Sequence, residues 1–240
     1  MNTDGHGRGT GEGTGEGIIP KHGGYRNTKT WQLADLIYDV TVRFCDKFVD
    51  RRSRTHDQMV QAARSGCQNL QEGSVDSATS KKLELKLTGT ARGSLMELQR
   101  DYQKFLQHRG LPEWPPDHPA LVRFRALRCN TLEKFRAWVA EETRRYEQEH
   151  TDEHGEEEHG QKHGQTRAEA RADVRAGPCA PVSLRDFPAV CAANGALALL
   201  NLCIHLVGRQ LEAQAAAFER EGGFTERLYR RRQAARRQHP

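Results

Sequence analysis

The sequence predicts an all-α protein, and two observations lead to that prediction. Strong helix formers (Ala, Leu, Glu, Arg, Gln and Lys) recur through the 240-residue chain, whereas β-branched residues are sparse and scattered. Apolar residues also recur at helical spacing over several long stretches. A chain of this length can bury one sizeable core and carry appendages.

Two stretches are predicted to lie outside the core. Residues 1–24 are rich in glycine and charge and cannot bury enough apolar surface to offset chain entropy, so we predict that they are disordered. Residues 150–181 are rich in Glu, His, Gly and Ala without an apolar period, which indicates a linker.

The net charge is +5, and its positive excess lies in residues 25–149 and 182–240. A basic folded part is typical of proteins that bind phosphate, although basic character also serves solubility alone.

The cysteines and the apolar runs bear on localisation. The six cysteines form no Cys-x-x-Cys pair and are expected to be buried, reduced thiols of a cytoplasmic protein. The N-terminus has no apolar core segment and does not resemble a secretory signal. The longest apolar run, 196–207, is interrupted by Asn201 and His205 and is too short to span a bilayer, so no membrane association is expected.

The first predicted helix covers residues 28–50 and the last covers 188–221. Apolar side chains fill most of the first helix, which therefore needs neighbours on more than one side. The last helix is apolar nearly all round, should be the most enclosed, and should hold His205 as a hydrogen-bonded core residue. The first helix has one narrow solvated stripe made of Gln32, Asp35, Asp39, Arg43, Asp46 and Asp50.

The second helix is predicted over 55–72, and small inner residues allow another helix to approach it closely. Gly73 then supplies the left-handed residue that commonly ends a helix. The third helix is predicted to start at Ser77 or Ser80, either of which can cap it. It continues to about residue 108, where Gly110 and the prolines that follow end it.

Two shorter helices are expected before the linker, over 120–128 and 130–149. The second of these begins with a capping box between Asn130 and Glu133. After the last helix, residues 223–240 form an arginine-rich tail that can extend as a helix when bound.

A polar pair near the end of the second helix, Asn69 and Glu72, is the first candidate for acid–base chemistry. No histidine or second carboxylate lies nearby at helical spacing, which disfavours catalysis. These side chains are expected instead to bond backbone groups and tie the second helix to the chain that follows.

Three basic clusters are candidates for binding phosphate. The lysines in the first turns of the third helix oppose the helix dipole, which favours an anionic partner about as much as a solvated face paired with Glu84. The arginines after the first helix can bind phosphate bidentately or form a charged loop. The tail, with Tyr229 to stack on a base, is more typical of a nucleic-acid arm than of a spacer. The predicted nucleic-acid-binding residues are Lys81, Lys82, Lys86, Arg51, Arg52, Arg54, Arg64, Arg227, Arg230, Arg231, Arg232, Arg236 and Arg237.

Four histidines of the predicted linker lie among glutamates: His150, His154, His159 and His163. Such a tract can bind transition metals weakly, and without an ordered scaffold it would be unselective. We therefore expect no cofactor and no dedicated metal site.

Three motifs of the predicted helices carry a family resemblance. Trp31-Gln32 opens the first helix, 69–73 reads Asn-Leu-Gln-Glu-Gly with Asn69, Glu72 and Gly73, and 93–98 reads Gly-Ser-Leu-Met-Glu-Leu with Gly93, Ser94 and Glu97. As a set they resemble the four-helix-bundle family of rRNA intervening-sequence proteins, which includes the Avd accessory proteins of diversity-generating retroelements. The segment from Ala193 through GGFTERLYRRR is similar to the "four helix bundle suffix" variant.

The resemblance implies an antiparallel up-down bundle of four helices, here with short extra helices, that assembles into a ring, commonly a homopentamer. It also implies a basic surface that binds nucleic acid, a reverse transcriptase partner in the retroelement members, and no catalytic activity. The wide apolar faces of the first and last helices agree with assembly, because they exceed what one small bundle buries. The expected function is non-enzymatic binding of RNA or DNA by an oligomer, and a protein-interaction scaffold is the alternative.

Overall fold

A computed structural model describes residues 24–77, 80–152 and 182–238 of the chain. Within these ranges the chain forms seven α-helices and no strand, which confirms the all-α prediction. The predictions for the glycine-rich N-terminus and for most of the acidic linker concern residues 1–23 and 153–181, which lie outside the described ranges.

Seven helices follow one another along the described chain, after a 3-10 turn at Tyr25–Asn27. The helices are α1 (Lys29–Phe48), α2 (Arg54–Asp76), α3 (Lys81–His108), α4 (Pro119–Leu127), α5 (Leu132–Asp152), α6 (Phe187–Glu221) and α7 (Phe224–Gln238). Helix α1 packs along α2 and α6, and α3 packs along the same two helices. Helix α5 lies mainly on α6, and α4 also contacts α6.

Most of the apolar face of α1 is covered by the chain itself. Leu33, Ile37, Val40 and Phe44 are all buried in one core cluster with side chains of α2, α3 and α6. The expectation that this face exceeds what one small bundle buries is therefore wrong for these four positions, whereas Phe48 at the end of the helix stays half-buried. Helix α5 packs mainly on α6 and covers α1 only slightly.

A buried hydrogen-bond chain joins α1 to α3 across the core. The Tyr102 hydroxyl donates to Thr41 Oγ1 at 3.1 Å, and the Thr41 hydroxyl donates to the Ile37 carbonyl at 2.7 Å. Burial raises the pKa of Tyr102, so the phenol stays protonated and keeps its role as a donor. The Phe44 ring packs edge-on against Phe105 beside it.

The glycines of α2 have a packing role. Gly73 does not end the helix, which continues to Asp76, so that prediction is wrong. A Cβ at Gly73 would lie 3.3 Å from Leu87 Cβ, and one at Gly66 would lie 2.8 Å from Leu95 Cδ2. Both glycines therefore allow α3 to approach α2 closely, as the small residues of α2 predicted.

The caps of α3 and α5 decide where those helices begin. The side chain of Ser80 accepts a hydrogen bond from the Leu83 amide at 3.2 Å, so Ser80 is the cap of α3. Gly110 follows α3 with a φ of 64°, as expected for a glycine that ends a helix. The predicted capping box at Asn130 is wrong by one position, because the Lys134 amide donates to Thr131 Oγ1 at 3.3 Å.

Helix α6 is enclosed over its first half only. Residues 189–200 are buried apart from Ala198, but His205 is exposed, which corrects the prediction of a core histidine. Among the described helices α6 alone is long and apolar enough to cross a membrane, yet 67% of its most apolar stretch is buried under other helices. The sequence predicted that the apolar run of this helix is too short to span a bilayer, but α6 as a whole is long enough. Its burial under other helices is the feature that is typical of a core helix in a soluble protein.

Candidate nucleic-acid interface

The outer face of α3 carries four exposed cations in one line. Lys82, Lys86, Arg100 and Lys104 fall within about 40° of one another around the helix axis, because their separations are close to whole numbers of helical turns. Over 22 residues this line is about 33 Å long. None of the four forms an ion pair with a carboxylate of the described residues, so all four charges are available to an anionic partner.

The middle of this face is bare backbone. No heavy atom lies within 4 Å of a Cβ built on Gly89 or on Gly93. Glycine in an exposed helix interior costs about 1 kcal/mol relative to alanine, and internal packing does not offset that cost at these two positions. A surface without side chains lets a polymer backbone come within contact distance, which suits a phosphodiester chain held by cations on either side.

Acidic groups lie at the edge of the α3 face. Glu97 is exposed there, about 60° around the helix axis from Lys82 and about 20° from Lys86 and Lys104. Burial raises the pKa of Asp101, and the Glu97 carboxylate raises it further. Lys81 points away from the line and pairs with the mostly buried Glu84 at 3.0 Å. Lys81 is therefore part of the internal structure and is not grouped with Lys82 and Lys86.

The predicted arginine corner lies at the C-terminal end of the α3 line. Arg109, just after α3, donates to the Phe48 carbonyl at 2.8 Å, which brings the end of α1 beside the end of α3. The corner residues Arg51, Arg52 and Arg54 follow within a few positions and are exposed. Arg51 pairs with Asp46 at 3.1 Å, and this exposed pair leaves the corner positive.

Arg64 does not join the α3 face. The α2 residues that contact α3 are Gly66 and Gly73, and Ser65 lies 3.0 Å from Ser94, oxygen to oxygen. Arg64 is exposed and lies about 160° around the α2 axis from Gly66 and about 180° from Gly73. It therefore points away from α3, and the structure does not group it with the α3 line.

Helix α7 follows α6, which ends near the beginning of α3. Gln214, near the end of α6, donates to Glu84 in the first turn of α3 at 2.9 Å, and α7 begins ten residues later. Gln233 donates to the hydroxyl of Tyr229, whose side chain is 61% exposed. The exposed arginines of α7 are Arg230, Arg231, Arg232, Arg236 and Arg237, and Arg227 lies in its first turn.

The motif residues behind the family resemblance have structural roles of their own. Trp31 packs edge-on against Tyr25 at a ring distance of 5.0 Å, and Gln32 donates to the Arg26 carbonyl at 2.9 Å. Asn69 donates to the carbonyl of Ser65 in its own helix at 2.8 Å, which corrects the expected bond to the following chain. Glu72 and Glu97 are exposed, Ser94 contacts α2, and Gly73 is buried.

The cysteines of the described residues are protected. Five cysteines are free and buried, and burial raises the pKa of Cys45 and of Cys203 to about 12, which makes both thiols weak nucleophiles. No group of three His, Cys, Asp or Glu side chains within the described ranges is arranged to hold a metal ion. His150 caps α5 with its ring 2.9 Å from the Tyr146 carbonyl, whereas His154, His159 and His163 lie outside those ranges.

Sequence reasoning missed Arg100 and Lys104. Their spacing of 18 residues from Lys82 and Lys86 is five helical turns, and that repeat was the signal for one long basic face. Comparison of the chain with family models, with curated proteins and with solved structures finds no match.

Proposed function

We propose that the protein is a non-enzymatic nucleic-acid-binding helical bundle whose main contact is the outer face of α3. The observation that carries the proposal is the alignment of four exposed basic residues along the outer side of α3. The α3 line is about 33 Å long, and the arginine corner lies near the end of the bundle where α3 ends. Such a line neutralises successive phosphates and binds with little sequence preference.

The proposed architecture is an antiparallel up-down bundle of α1, α2, α3 and α6. The early residue Thr30 of α1 donates to Gln210 late in α6, which supports opposite directions for these helices. Cys45 and Met59 support the same for α1 and α2, with their sulfur atoms 3.9 Å apart. The remaining pairs are joined by Ser65 to Ser94, Gln99 to Asn201, and Gln214 to Glu84.

The proposal also includes assembly and partners, and the family resemblance is the basis for both. The resemblance favours a homo-oligomeric ring, commonly of five copies, and a reverse transcriptase partner in a retroelement. The mostly covered face of α1 no longer argues for assembly, whereas α6 is enclosed over its first half only. Exposed apolar side chains remain for subunit contacts at Met96 on α3 and Leu202 on α6, which are 45% and 47% exposed. Buried thiols and the buried α6 are in keeping with a cytoplasmic protein.

The test is binding of duplex DNA and of single-stranded RNA as a function of salt. A variant with Lys82, Lys86, Arg100 and Lys104 changed to Gln removes four charges from the α3 face. The matched control removes four exposed charges elsewhere, by changing Arg125, Lys134, Arg136 and Arg145 to Gln. For duplex DNA we expect the slope of log affinity against log salt to fall by roughly 3 to 4 in the first variant and by much less in the control.

Two results would contradict the proposal. Equal losses in the two variants would show that net charge alone drives binding and that α3 has no special role. Absence of binding of the unaltered chain to DNA and RNA at low salt would favour the alternative, a protein-interaction scaffold. That alternative has its own structural support in an amphipathic groove on another side of the molecule.

A further inference from the structure

A groove of about 900 Å³ lies between the C-terminal half of α1 and the helix α5. Its bottom is the first turn of α6, with Pro188 and Ala192. Helix α5 packs mainly on α6 and contacts α1 only slightly, so the two walls of the groove stand apart. Gly195 explains the close α5–α6 contact, because a Cβ there would lie 2.5 Å from the ring of Trp138.

The floor of the groove is apolar and only partly covered. Phe48 of α1, with Leu132 and Val139 of α5, is half-buried and packs against the buried core. Ala140 is exposed between them and presents a small surface. Half-buried apolar side chains in a concave site are typical of a surface that a partner covers.

The rim of the groove is basic on both walls. Arg43 and Lys47 lie one turn apart on α1, and Arg136 and Arg144 lie two turns apart on α5. Arg144 pairs with Glu141, but Arg43, Lys47 and Arg136 have no carboxylate of the described residues within ion-pairing distance. The acids of the lining are Asp46 on the α1 wall, which Arg51 already engages, and Glu147 on the α5 wall. Four cations stand against these two acids, so the open groove is net basic and attracts negative charge.

We propose that this groove binds an amphipathic helix of another protein, with an apolar stripe flanked by acidic residues. The α5 wall from Leu132 to Glu147 spans 16 residues and about 23 Å, which matches roughly four turns of a bound helix. A helix lying between two helices inserts residues at i, i+3, i+4 and i+7 into the apolar floor and directs its flanking carboxylates to the rim. The site does not depend on the α3 face and is independent of nucleic-acid binding.

The test uses synthetic peptides because the natural partner is unidentified. The probe is a fluorescent 16-residue amphipathic helix with a leucine stripe flanked by glutamates, and its counterpart carries lysines in place of the glutamates. Fluorescence anisotropy with the full chain should show binding of the acidic peptide, and the lysine peptide should bind about tenfold more weakly or worse.

Charge reversal in the groove makes the test specific. The double variant Arg43→Glu with Arg136→Glu should lose affinity for the acidic peptide by about tenfold and gain affinity for the lysine peptide. The matched control, Arg125→Glu with Arg145→Glu, reverses the same number of charges outside the groove lining and should leave both affinities unchanged. Circular dichroism verifies that both variants keep their helices, since all four positions are exposed.

Three outcomes would overturn the proposal. Equal binding of the two peptides by the unaltered chain would show that the rim charges do not select the partner. A control variant that loses as much affinity as the groove variant would place the site elsewhere. Dodecyl phosphate that displaces the acidic peptide at concentrations far below its micellar range would identify the groove as a site for small anionic amphiphiles.

Discussion

The contact between Gly195 and Trp138 leads to the sharpest prediction on stability. Trp138 is 5% exposed and lies between Phe124 and Phe135, so its ring cannot move aside. In Gly195→Ala the new Cβ would lie 2.5 Å from one ring carbon of Trp138 and 3.0 Å from a ring carbon of Phe135. Ordinary carbon contacts are about 3.5–4.0 Å, so α5 must shift by roughly 1 Å relative to α6.

The expected cost follows from two opposing effects. Overpacking of this kind costs up to about 3 kcal/mol, and the better helix propensity of alanine returns about 1 kcal/mol. Gly195→Ala should therefore lower the free energy of unfolding by about 2 kcal/mol. Gly93→Ala is the matched control, because its Cβ meets nothing within 4 Å, and it should raise stability by up to about 1 kcal/mol.

Thermal unfolding followed by circular dichroism measures both effects. For a domain of this size the Tm should fall by roughly 4–8 °C in Gly195→Ala and rise by roughly 2–4 °C in Gly93→Ala. Equal Tm values for the two variants would refute the described contact between α5 and α6. A lower Tm in Gly93→Ala would contradict the description of the α3 face as open at Gly93.

Three more predictions test other parts of the core. Asn194 accepts a hydrogen bond from the Trp114 amide at 2.7 Å and donates one to the Pro112 carbonyl at 3.1 Å. In urea unfolding, Asn194→Ala should therefore lower the free energy of unfolding by about 2–3 kcal/mol. The loop between α3 and α4, which holds Pro112 and Trp114, should also become more sensitive to proteolysis. Burial and the nearby Arg123 lower the pKa of His118, so the folded state favours the neutral imidazole. The stability that His118 contributes should be fully present above the ordinary pKa of 6.5 and should decline as the pH falls below it. In unfolding measured from pH 8 to pH 5, His118→Gln should flatten that decline. In a Cys179→Ser background, a thiol reagent at pH 8 should label the native chain at least about a hundredfold more slowly than the unfolded chain. Rapid labelling of the native chain would contradict the burial of the five described cysteines, Cys45, Cys67, Cys129, Cys191 and Cys203.

Local features of the sequence predicted most of the helices. The solvated stripe of α1, the Ser80 cap and the glycine after α3 depend on interactions within a few residues, and all three are present in the structure. Gly73 misled the prediction because glycine serves both to end helices and to let them approach. Which role it has depends on Leu87, 14 residues away on another helix, and no local pattern contains that information.

The candidate site shows the same division between local and distant information. The lysines of the first α3 turns and the arginine clusters were evident as runs of charge, whereas Arg100 and Lys104 are separated from them by five turns. Gln214 with Glu84 brings the late part of α6 to the first turn of α3, and Arg109 with the Phe48 carbonyl brings the end of α1 to the end of α3. These contacts link residues 130 and 61 positions apart, so no local pattern could predict which helix ends meet.

The positions of α1 and α3 imply that the two proposed surfaces face away from each other. Each of these helices packs along both α2 and α6, and they meet each other through the core, where Phe44 contacts Tyr102 and Phe105. The outward sides of α1 and α3 are therefore on opposite flanks. Under the two proposals, a nucleic acid along α3 would leave the groove between α1 and α5 open, and the two partners would not exclude each other. The basic rim of the groove is on the far side from α3, and the acidic helix that it selects would not compete with phosphate for the α3 cations.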